Sequence, residues 1–479
     1  MEQKPLGSSG RGQCKSKKRF ARRTVLTMIT PIVAGLMVAC GGVNSKPSLS
    51  DKQQAVLEDI SGFADVSSSP LDSDMEKLTV EALVIHSPWG PRGDSYRQLA
   101  SLASRSEPGV PRIFQNQLAV GEAGLAAALD SLPELRELDI MLFPVQHLGD
   151  LVGSEELLAL DKISGITELL DEGSYWGNTY SAGTINGRQF AVPLVLGPWF
   201  LMFNPKVFNK FGVEIPTSSG WSADVFADNV RRLTPRSSGS QDPESLGFLQ
   251  LLPTTKGTQP LPPSWVWMQG MGSELPDRNH DSEVLNSNSA LEAMKLMRRI
   301  VQEERSVVTM PTLRGRSVWG ATASRDLAMM SLPTNSGWLL NQWRKKDGFD
   351  LAPMPKGQTT RTPTDIHMMA GISSRTNNVD AAAAGMKALA NIVPSIIFPS
   401  ALRKDLDRAV EVETVLRSQD MEYMQTALTK ATSLNLSPSD RQFMTSELDH
   451  PVMLGEKSIE EIAQRAAKVL DDLSYSRER

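Results

Sequence analysis

The aromatic residues of this sequence have a distinctive composition, with nine Trp and only five Tyr. A Trp side chain offers a large flat apolar face and one N–H donor. Trp265 and Trp267 flank Val266 in a Pro-rich segment, and an extended backbone would place both rings on one face. Trp89 lies in a Ser-Pro-Trp-Gly loop without periodicity. Such rings can stack on the apolar C–H faces of pyranoses, although burial in a core is the competing interpretation for each of them.

No motif for catalysis or metal binding accompanies these residues. The sequence has no Walker A loop, no G-x-G-x-x-G after a strand, no H-E-x-x-H and no G-x-S-x-G elbow. Its five histidines are scattered with no pair at i and i+4, and its two cysteines are too few for a Cys-based zinc site. We therefore expect no metal, no cofactor and no enzymatic activity. A glycosidase site with two catalytic carboxylates remains an alternative, because acidic residues that are distant in the sequence can be close in the folded protein.

The elements that must position these residues alternate between strands and helices. Residues 78–85 and 138–143 are short apolar runs typical of buried strands, and residues 96–103 read as a helix. Gln146 lies in the loop at the carboxyl end of the second strand, where a binding residue is expected. The pattern predicts an α/β fold with a largely parallel sheet.

Two later helices are marked by their own local signals. Residues 289–303 place apolar side chains at spacings of three and four, which predicts one buried face. Ser458 and Glu461 form a capping box at the start of a second amphipathic stretch. Both stripes are interpreted as core surfaces.

The charge is unevenly distributed along the 479 residues, a length that suggests two or three domains. Residues 1–39 hold eight of the 50 Lys and Arg and one of the 55 Asp and Glu, so the remainder has 42 basic and 54 acidic residues and a net charge of −12. An acidic body argues against a nucleic-acid partner, which requires a basic face.

The first forty residues have the pattern of an export signal. A basic region is followed by an apolar run at 24–39, whose 16 residues are fewer than the about 20 that a spanning helix needs. The run ends in Met37-Val38-Ala39-Cys40-Gly41-Gly42, which resembles a bacterial lipobox, with Cys40 as the acylated residue. We predict a signal peptide at 1–39 and a lipid-anchored flexible tether at 40–75. An uncleaved anchor and export through the twin-arginine pathway stay open.

An ordered series of six segments is the most informative feature of the body. It begins with Asn186-Gly187-Arg188 and a strand, continues through Asn204-Pro205-Lys206, and ends with a Gly-Ile-Ser turn before a helix. The six segments are 186–193, 199–208, 211–221, 326–338, 349–357 and 371–382. Their order resembles that of the extracellular solute-binding lipoproteins of bacterial ABC importers, in the carbohydrate-binding family that includes maltose-binding protein. The resemblance covers about residues 76–400.

This resemblance implies a two-lobed periplasmic-binding-protein-like fold. Each lobe would be a mostly parallel sheet flanked by helices, discontinuous in sequence and hinged around a cleft. The lobes would comprise 76–167 with 352–400, and 168–351 with 401–479. Trp338 matches a family tryptophan that commonly lines the cleft, whereas Trp221 matches a structural one. The implied partners are a sugar or oligosaccharide, the transmembrane permease subunits, and the membrane through the lipid anchor; we expect a monomer on the extracytoplasmic face.

One segment departs from the family pattern. Before Gly371 the family is usually glycine-rich, whereas here the chain reads Asp365-Ile366-His367-Met368. His367 could hydrogen-bond a ligand hydroxyl, and a packed, satisfied histidine is the alternative. The candidate ligand-binding set is therefore Trp89, Gln146, Trp265, Trp267, Trp338 and His367.

Two other functions stay open at this level. One is a solute-binding protein for a non-sugar cargo such as a polyamine, a peptide or a phosphorylated compound. Arg or Lys clusters near the cleft would favour an anion, whereas Trp with Asp and Gln favours a neutral sugar. The other is a surface-anchored enzyme acting on glycans, which would need two carboxylates about 5–10 Å apart.

The lipobox generates a direct prediction. Replacing Cys40 by Ser removes the thiol that would be acylated, so the protein should be released from membranes or should stay uncut. Membrane fractionation with mass determination of the Cys40→Ser variant checks this, and Cys14→Ser serves as the matched control because Cys14 lies within the predicted signal. A Cys40→Ser protein that stays in the membrane fraction at its mature mass would contradict the prediction.

Overall fold

The structure is a computed structural model that describes most of the chain from residue 79 onward. The described residues are 79–85, 93–106, 110–118, 125, 128–129, 138–216, 220–235, 245–249, 263–273, 282–303, 307–308, 327–333, 348–357, 361–395, 399–403, 418–433, 443–455 and 457–477. Within them, no helix is both long enough and apolar enough to cross a bilayer.

Strands and helices alternate along the described chain, as the sequence predicts. The strands are β1 (Thr79–Ile85), β2 (Arg112–Leu118), β3 (Ile140–Phe143), β4 (Thr184–Ile185), β5 (Arg188–Gln189), β6 (Val192–Phe203), β7 (Phe248–Leu249), β8 (Val307–Val308), β9 (Met329–Pro333), β10 (Asp350–Pro353), β11 (Thr362–Ile372) and β12 (Ala431–Ser433). The α-helices are α1 (Gly93–Ala103), α2 (Leu148–Gly153), α3 (Pro205–Lys210), α4 (Ala223–Arg232), α5 (Pro263–Gly270), α6 (Asn288–Arg298), α7 (Val379–Ile392), α8 (Ser418–Thr429), α9 (His450–Leu454) and α10 (Ile459–Arg477).

Single turns of tighter or wider helix lie between these elements. The 3₁₀ turns are Val145–His147, Leu160–Lys162, Thr167–Leu170, Glu172–Ser174, Thr179–Gly183, Ser282–Asn286 and Val393–Ser395, and the π turns are Arg299–Glu303 and Thr445–Asp449.

The predicted parallel pairing is confirmed at one end of the sheet. β1 pairs in parallel with β2 on one side and with β3 on the other, with Leu83 opposite Asn116 and Met141. All four residues of β3 are buried, as expected for a strand covered on both faces. The predicted strands at 78–85 and 138–143 are therefore confirmed within a residue or two.

Two long antiparallel strands, β6 and β11, connect this end of the sheet to the other. The first half of β6 pairs with β11, from Val192 opposite Ala370 to Pro198 opposite Thr364. The second half pairs with β9 and β10, with Phe200 opposite both Leu332 and Pro353. The complete strand order is β2-β1-β3-β11-β6-β9-β7-β8, with β10 on β6 and β12 on β11. Among the described strands, only β6 pairs both with β11, next to β1–β3, and with β9 and β10 at the other end of the sheet.

The buried side chains form two hydrophobic clusters. The first includes residues of β1, β3, β11, α7 and α8, and the second includes residues of α4, α5, α6 and α10. The second half of β6 contributes to both, since Phe200 and Met202 belong to the first cluster and Trp199 and Leu201 to the second. This division follows the alternation of side chains along a strand.

The described residues after 400 divide between the two clusters. Ala401, Leu402 and the buried face of α8 belong to the first cluster, whereas Phe443 and α10 belong to the second. The predicted second lobe includes all of 401–479. Because the clusters share β6, they do not by themselves define lobes, and the predicted limits stay a prediction.

Local capping signals are confirmed where the sequence predicts them. Ser458 Oγ accepts from Glu461 N at 3.1 Å, and Glu461 Oε2 accepts from Ser458 N at 3.1 Å, which is the reciprocal capping box at the start of α10. Ser287 caps α6 by accepting from Ala290 N. The predicted helix at 289–303 is α-helical to Arg298 and continues as one π turn.

Helix α5 has a long-range cap that no local signal predicts. Asp449 Oδ1 accepts from Ser264 N at 2.8 Å, across 185 positions of sequence. Pro263 has no N–H, so this bond satisfies one of the donors left unpaired in the first turn. Asp449 is fully buried. Burial raises its pKa from 3.8 to about 7, although the bonds from Ser264 act in the opposite direction.

The raised pKa of Asp449 predicts a specific pH dependence of stability. Between pH 4 and 7 the unfolded chain releases the Asp449 proton while the folded chain retains it, so the free energy of unfolding should decrease as the pH rises through this window. The loss should be about 4 kcal/mol at most and should level off above pH 7. The Asp449→Asn variant cannot titrate there and should lack this component.

Urea denaturation of both proteins from pH 4 to pH 8 measures the effect. The control is Asp472→Asn, which removes one exposed carboxylate from α10. A constant difference between wild type and Asp449→Asn across this range would contradict the assignment.

Candidate functional site

The candidate site is the region where β6, paired with β11, passes from the first cluster to the second, and it is called the crossing below. Their pairing is regular on either side, but the register shifts between Ile366 and Met368 and again between Met368 and Met369. His367 is therefore the residue at a β-bulge, a device that redirects a side chain and bends the strand. From the sequence, this segment departs from a glycine-rich pattern and contains the candidate ligand contact His367, but nothing there indicates a bulge.

The His367 ring packs directly over Gly197 of β6. A methyl group at position 197 would overlap Nε2 and Cδ2 of the imidazole, so only glycine fits there. Gly197 is followed by Pro198 in an otherwise apolar strand. A glycine within a strand often marks such a close approach, and this was the signal in the sequence that could have identified the contact.

His367 is accompanied by an acidic residue on the same strand. Its Nδ1 lies 3.9 Å from Asp365 Oδ2, and the two side chains are only 1% and 8% exposed. Asp365 Oδ1 accepts from Ile366 N at 3.0 Å, which fixes the carboxylate close to the backbone of β11. The burial of His367 fits the packed-histidine alternative, and its contact with a ligand stays a prediction.

The free edge of the first half of β6 is covered by a short segment. Leu196 N donates to Pro399 O at 2.9 Å and Ala401 N donates to Leu194 O at 3.0 Å. Together with β11 on the other side, this segment pairs the backbone of the crossing on both edges. The crossing is thus held by main-chain hydrogen bonds rather than by side chains alone.

Gln146 lies beside the same crossing. It occupies the 3₁₀ turn Val145–His147 immediately after β3, and this turn contacts β11. Its Nε2 is 3.3 Å from Nε2 of His147, which is buried, whereas Gln146 itself is partly exposed. The structure therefore brings Gln146 and the bulged part of β11 to the same end of β3, because β11 pairs with β3 only up to Phe143.

Trp265 and Trp267 do not have the extended backbone that would place both rings on one face. They lie in helix α5, and both are 1% exposed. The Trp267 ring packs on Phe226 and Phe248, with centroid distances of 5.2 and 5.9 Å. Their role in ligand binding stays an untested prediction.

Three other predicted residues, Trp89, Trp338 and the acylation candidate Cys40, lie outside the described residues. Trp221, predicted to be structural, stacks on Phe208 at a centroid distance of 5.8 Å. Among the residues that the structure describes, no group of three or more His, Cys, Asp or Glu could hold a metal ion.

No protein-family model matches the sequence, and no curated protein gives a significant match. Solved structures do match over nearly their whole length. An ABC substrate-binding protein of Listeria monocytogenes in complex with cycloalternan is 14% identical with a TM-score of 0.62, covering 83% of this chain and 99% of that one. The GacH receptor of Streptomyces glaucescens, solved unliganded and with acarbose, is 16% identical with a TM-score of 0.61, covering 84% and 99%.

A third solved structure carries a different kind of ligand. UgpB from Mycobacterium tuberculosis, in complex with glycerophosphocholine, is 15% identical with a TM-score of 0.61, covering 83% of this chain and 98% of that one. At this level of identity the likeness shows the fold. The chain has the two-lobed α/β fold of periplasmic solute-binding proteins, and the predicted fold class is confirmed.

The contact between Gly197 and His367 can be tested by substitution. Gly197→Ala should destabilise the protein by about 1–3 kcal/mol, the usual cost of overpacking. In a His367→Ala background the same substitution should cost at least about 1 kcal/mol less, because the ring that it displaces is gone. Chemical denaturation of the four proteins of this cycle measures the coupling.

Gly153→Ala is the matched control, since a Cβ at position 153 would meet nothing within 4 Å. It should leave stability unchanged or slightly increased. Additive effects of the 197 and 367 substitutions would show that the two residues are not in contact.

Proposed function

We propose that this protein is the solute-binding receptor of an ABC importer, which captures a sugar or oligosaccharide between its lobes and delivers it to the membrane permease. The observation that supports this most directly is strand β6, which pairs with β11 and contributes side chains to both hydrophobic clusters, in a chain with the solute-binding protein fold. Loops at the strand ends near such a crossing are the usual position of a ligand site in open α/β sheets.

The ligand in this proposal is a neutral carbohydrate. Several solved structures of this fold carry such ligands in their descriptions, among them cycloalternan, acarbose and mannobiose. Trp89 follows β1 and Gln146 follows β3, and these two strands are parallel neighbours in the sheet. The proposed ligand contacts are stacking by Trp89 and Trp338 and hydrogen bonding by Gln146. His367 and Asp365, being buried, are proposed to hold the crossing in shape.

The proposal also includes the cell surface as the site of action. The lipobox at Cys40 and the tether at 40–75 support an exported protein anchored by lipid on the extracytoplasmic face. Binding without chemical conversion is the proposed activity. A non-sugar cargo remains the second candidate, because UgpB shares the fold and its description names glycerophosphocholine as the bound ligand.

A ligand screen tests the proposal. The lipid-free protein is mixed with a panel of neutral mono- and oligosaccharides, and the melting temperature is measured for each. A cognate sugar at about 100 times its dissociation constant should stabilise the protein by about 2.7 kcal/mol. Chromatography of the recovered sugar should show no product. Turnover would instead support a glycan-acting enzyme, and stabilisation only by charged compounds would support the other cargo class.

Paired tryptophan variants locate the sugar site. Trp338→Ala should weaken binding of the identified sugar by about 2–4 kcal/mol, as expected for a stacking residue, with little loss of stability. Trp221→Ala is the control, since this ring stacks on Phe208 in the second cluster. That variant should lose about 3–5 kcal/mol of stability and retain affinity in its folded fraction. If Trp338→Ala instead loses stability and keeps its affinity for the sugar, Trp338 is a core residue.

A further inference from the structure

A cavity of about 230 Å³ lies beside the point where β6 passes from the first half of its pairing to the second. Its walls come from both hydrophobic clusters. Phe200 and Tyr423 belong to the first, and Trp199 and Met354 belong to the second. No sequence signal indicated this cavity, because its described walls come from distant segments. They are contributed by β6, by α8 with the following Lys430, and by Pro353, Met354, Lys356, Arg361 and Thr362.

The charged side chains among the described lining residues are all basic, namely Lys356, Arg361 and Lys430. An anion placed in the cavity would be attracted by Lys356 and Lys430. An Arg guanidinium and Lys ammonium groups are the usual partners of phosphate and carboxylate oxygens. The body of the protein is acidic overall, so the basic character of this described lining differs from the average of the chain.

We infer that this cavity is a binding site for a phosphate group, either free or carried by a small organic molecule. Its volume is several times the share of about 30 Å³ that one water molecule occupies in the liquid, so it can hold an oxyanion together with a small apolar body. The apolar walls at Phe200, Met354 and Tyr423 would contact that body. None of the sugar contacts proposed above is among the described lining residues, and the inference does not depend on those contacts.

The position of the site gives the anion a structural effect. Lys356 and Arg361 lie on the connection between β10 and β11, whereas Lys430 follows α8 immediately before β12. A phosphate that contacts Lys430 together with Lys356 or Arg361 would link the end of α8, in the first cluster, to the end of β10, which pairs with the second half of β6. Binding should therefore stabilise the arrangement of the elements around the crossing.

Calorimetric titration of the lipid-free protein with inorganic phosphate and, separately, with glycerol 3-phosphate tests the inference in the absence of any sugar. Saturable binding is expected, and it should weaken as NaCl is raised because the contacts are ionic. Lys356→Gln and Lys430→Gln should each weaken binding about tenfold or more, the factor that corresponds to one charge-assisted hydrogen bond. Tighter binding of glycerol 3-phosphate would show that an organic body is accommodated, and equal binding would identify free phosphate as sufficient.

Lys210→Gln is the matched control, since Lys210 lies over the Phe211 ring and does not line the cavity. The inference is overturned if neither anion binds wild type, or if Lys356→Gln and Lys430→Gln bind as Lys210→Gln does. Because no sugar is present, neither outcome bears on the proposed carbohydrate function.

Discussion

The structure depends on the complete burial of strand β6. All 12 of its residues are buried, so each backbone N–H and C=O must find a partner within the protein and both faces must be covered. No single neighbour meets this need along the whole strand. β11 and the segment at 399–401 pair the first half, and β9 and β10 pair the second. The two hydrophobic clusters are adjacent because one strand requires both.

The same constraint explains the unusual local features at the crossing. Where β6 changes partners, the ladder is irregular, and the bulge at His367 occurs within a few residues of that change. Gly197 provides the space that the displaced ring needs. The buried Asp365 and His367 are polar groups in an apolar setting, which is an arrangement that folds retain where geometry has to be specific. The cavity with the basic lining residues begins at Trp199, two residues after Gly197 in β6.

Fold and ligand are separate questions for this protein. Solved structures that share 14–16% of its residues match over 98–99% of their own length, and their descriptions name ligands as different as cycloalternan and glycerophosphocholine. A shared scaffold with different cargo is expected when the sheets hold position and the loops at the strand ends carry the contacts. The choice between a neutral sugar and an anion in this chain rests on its own side chains, namely tryptophans after the strands and three cations around one cavity.

The sequence by itself determined the features that rest on neighbouring residues. The α/β class, the strands at 78–85 and 138–143 and the capping box at Ser458 follow from local periodicity and from short-range hydrogen bonds, and the order of the motifs indicated the fold. Only the tertiary structure decided the features that join distant segments. Asp449 caps α5 from 185 positions away, and this helix packs Trp265 and Trp267 into the second cluster. The contact of Gly197 with His367 and the grouping of Lys356, Arg361 and Lys430 have the same origin, because pairing in a sheet brings together residues whose separation along the chain carries no information about their distance in space.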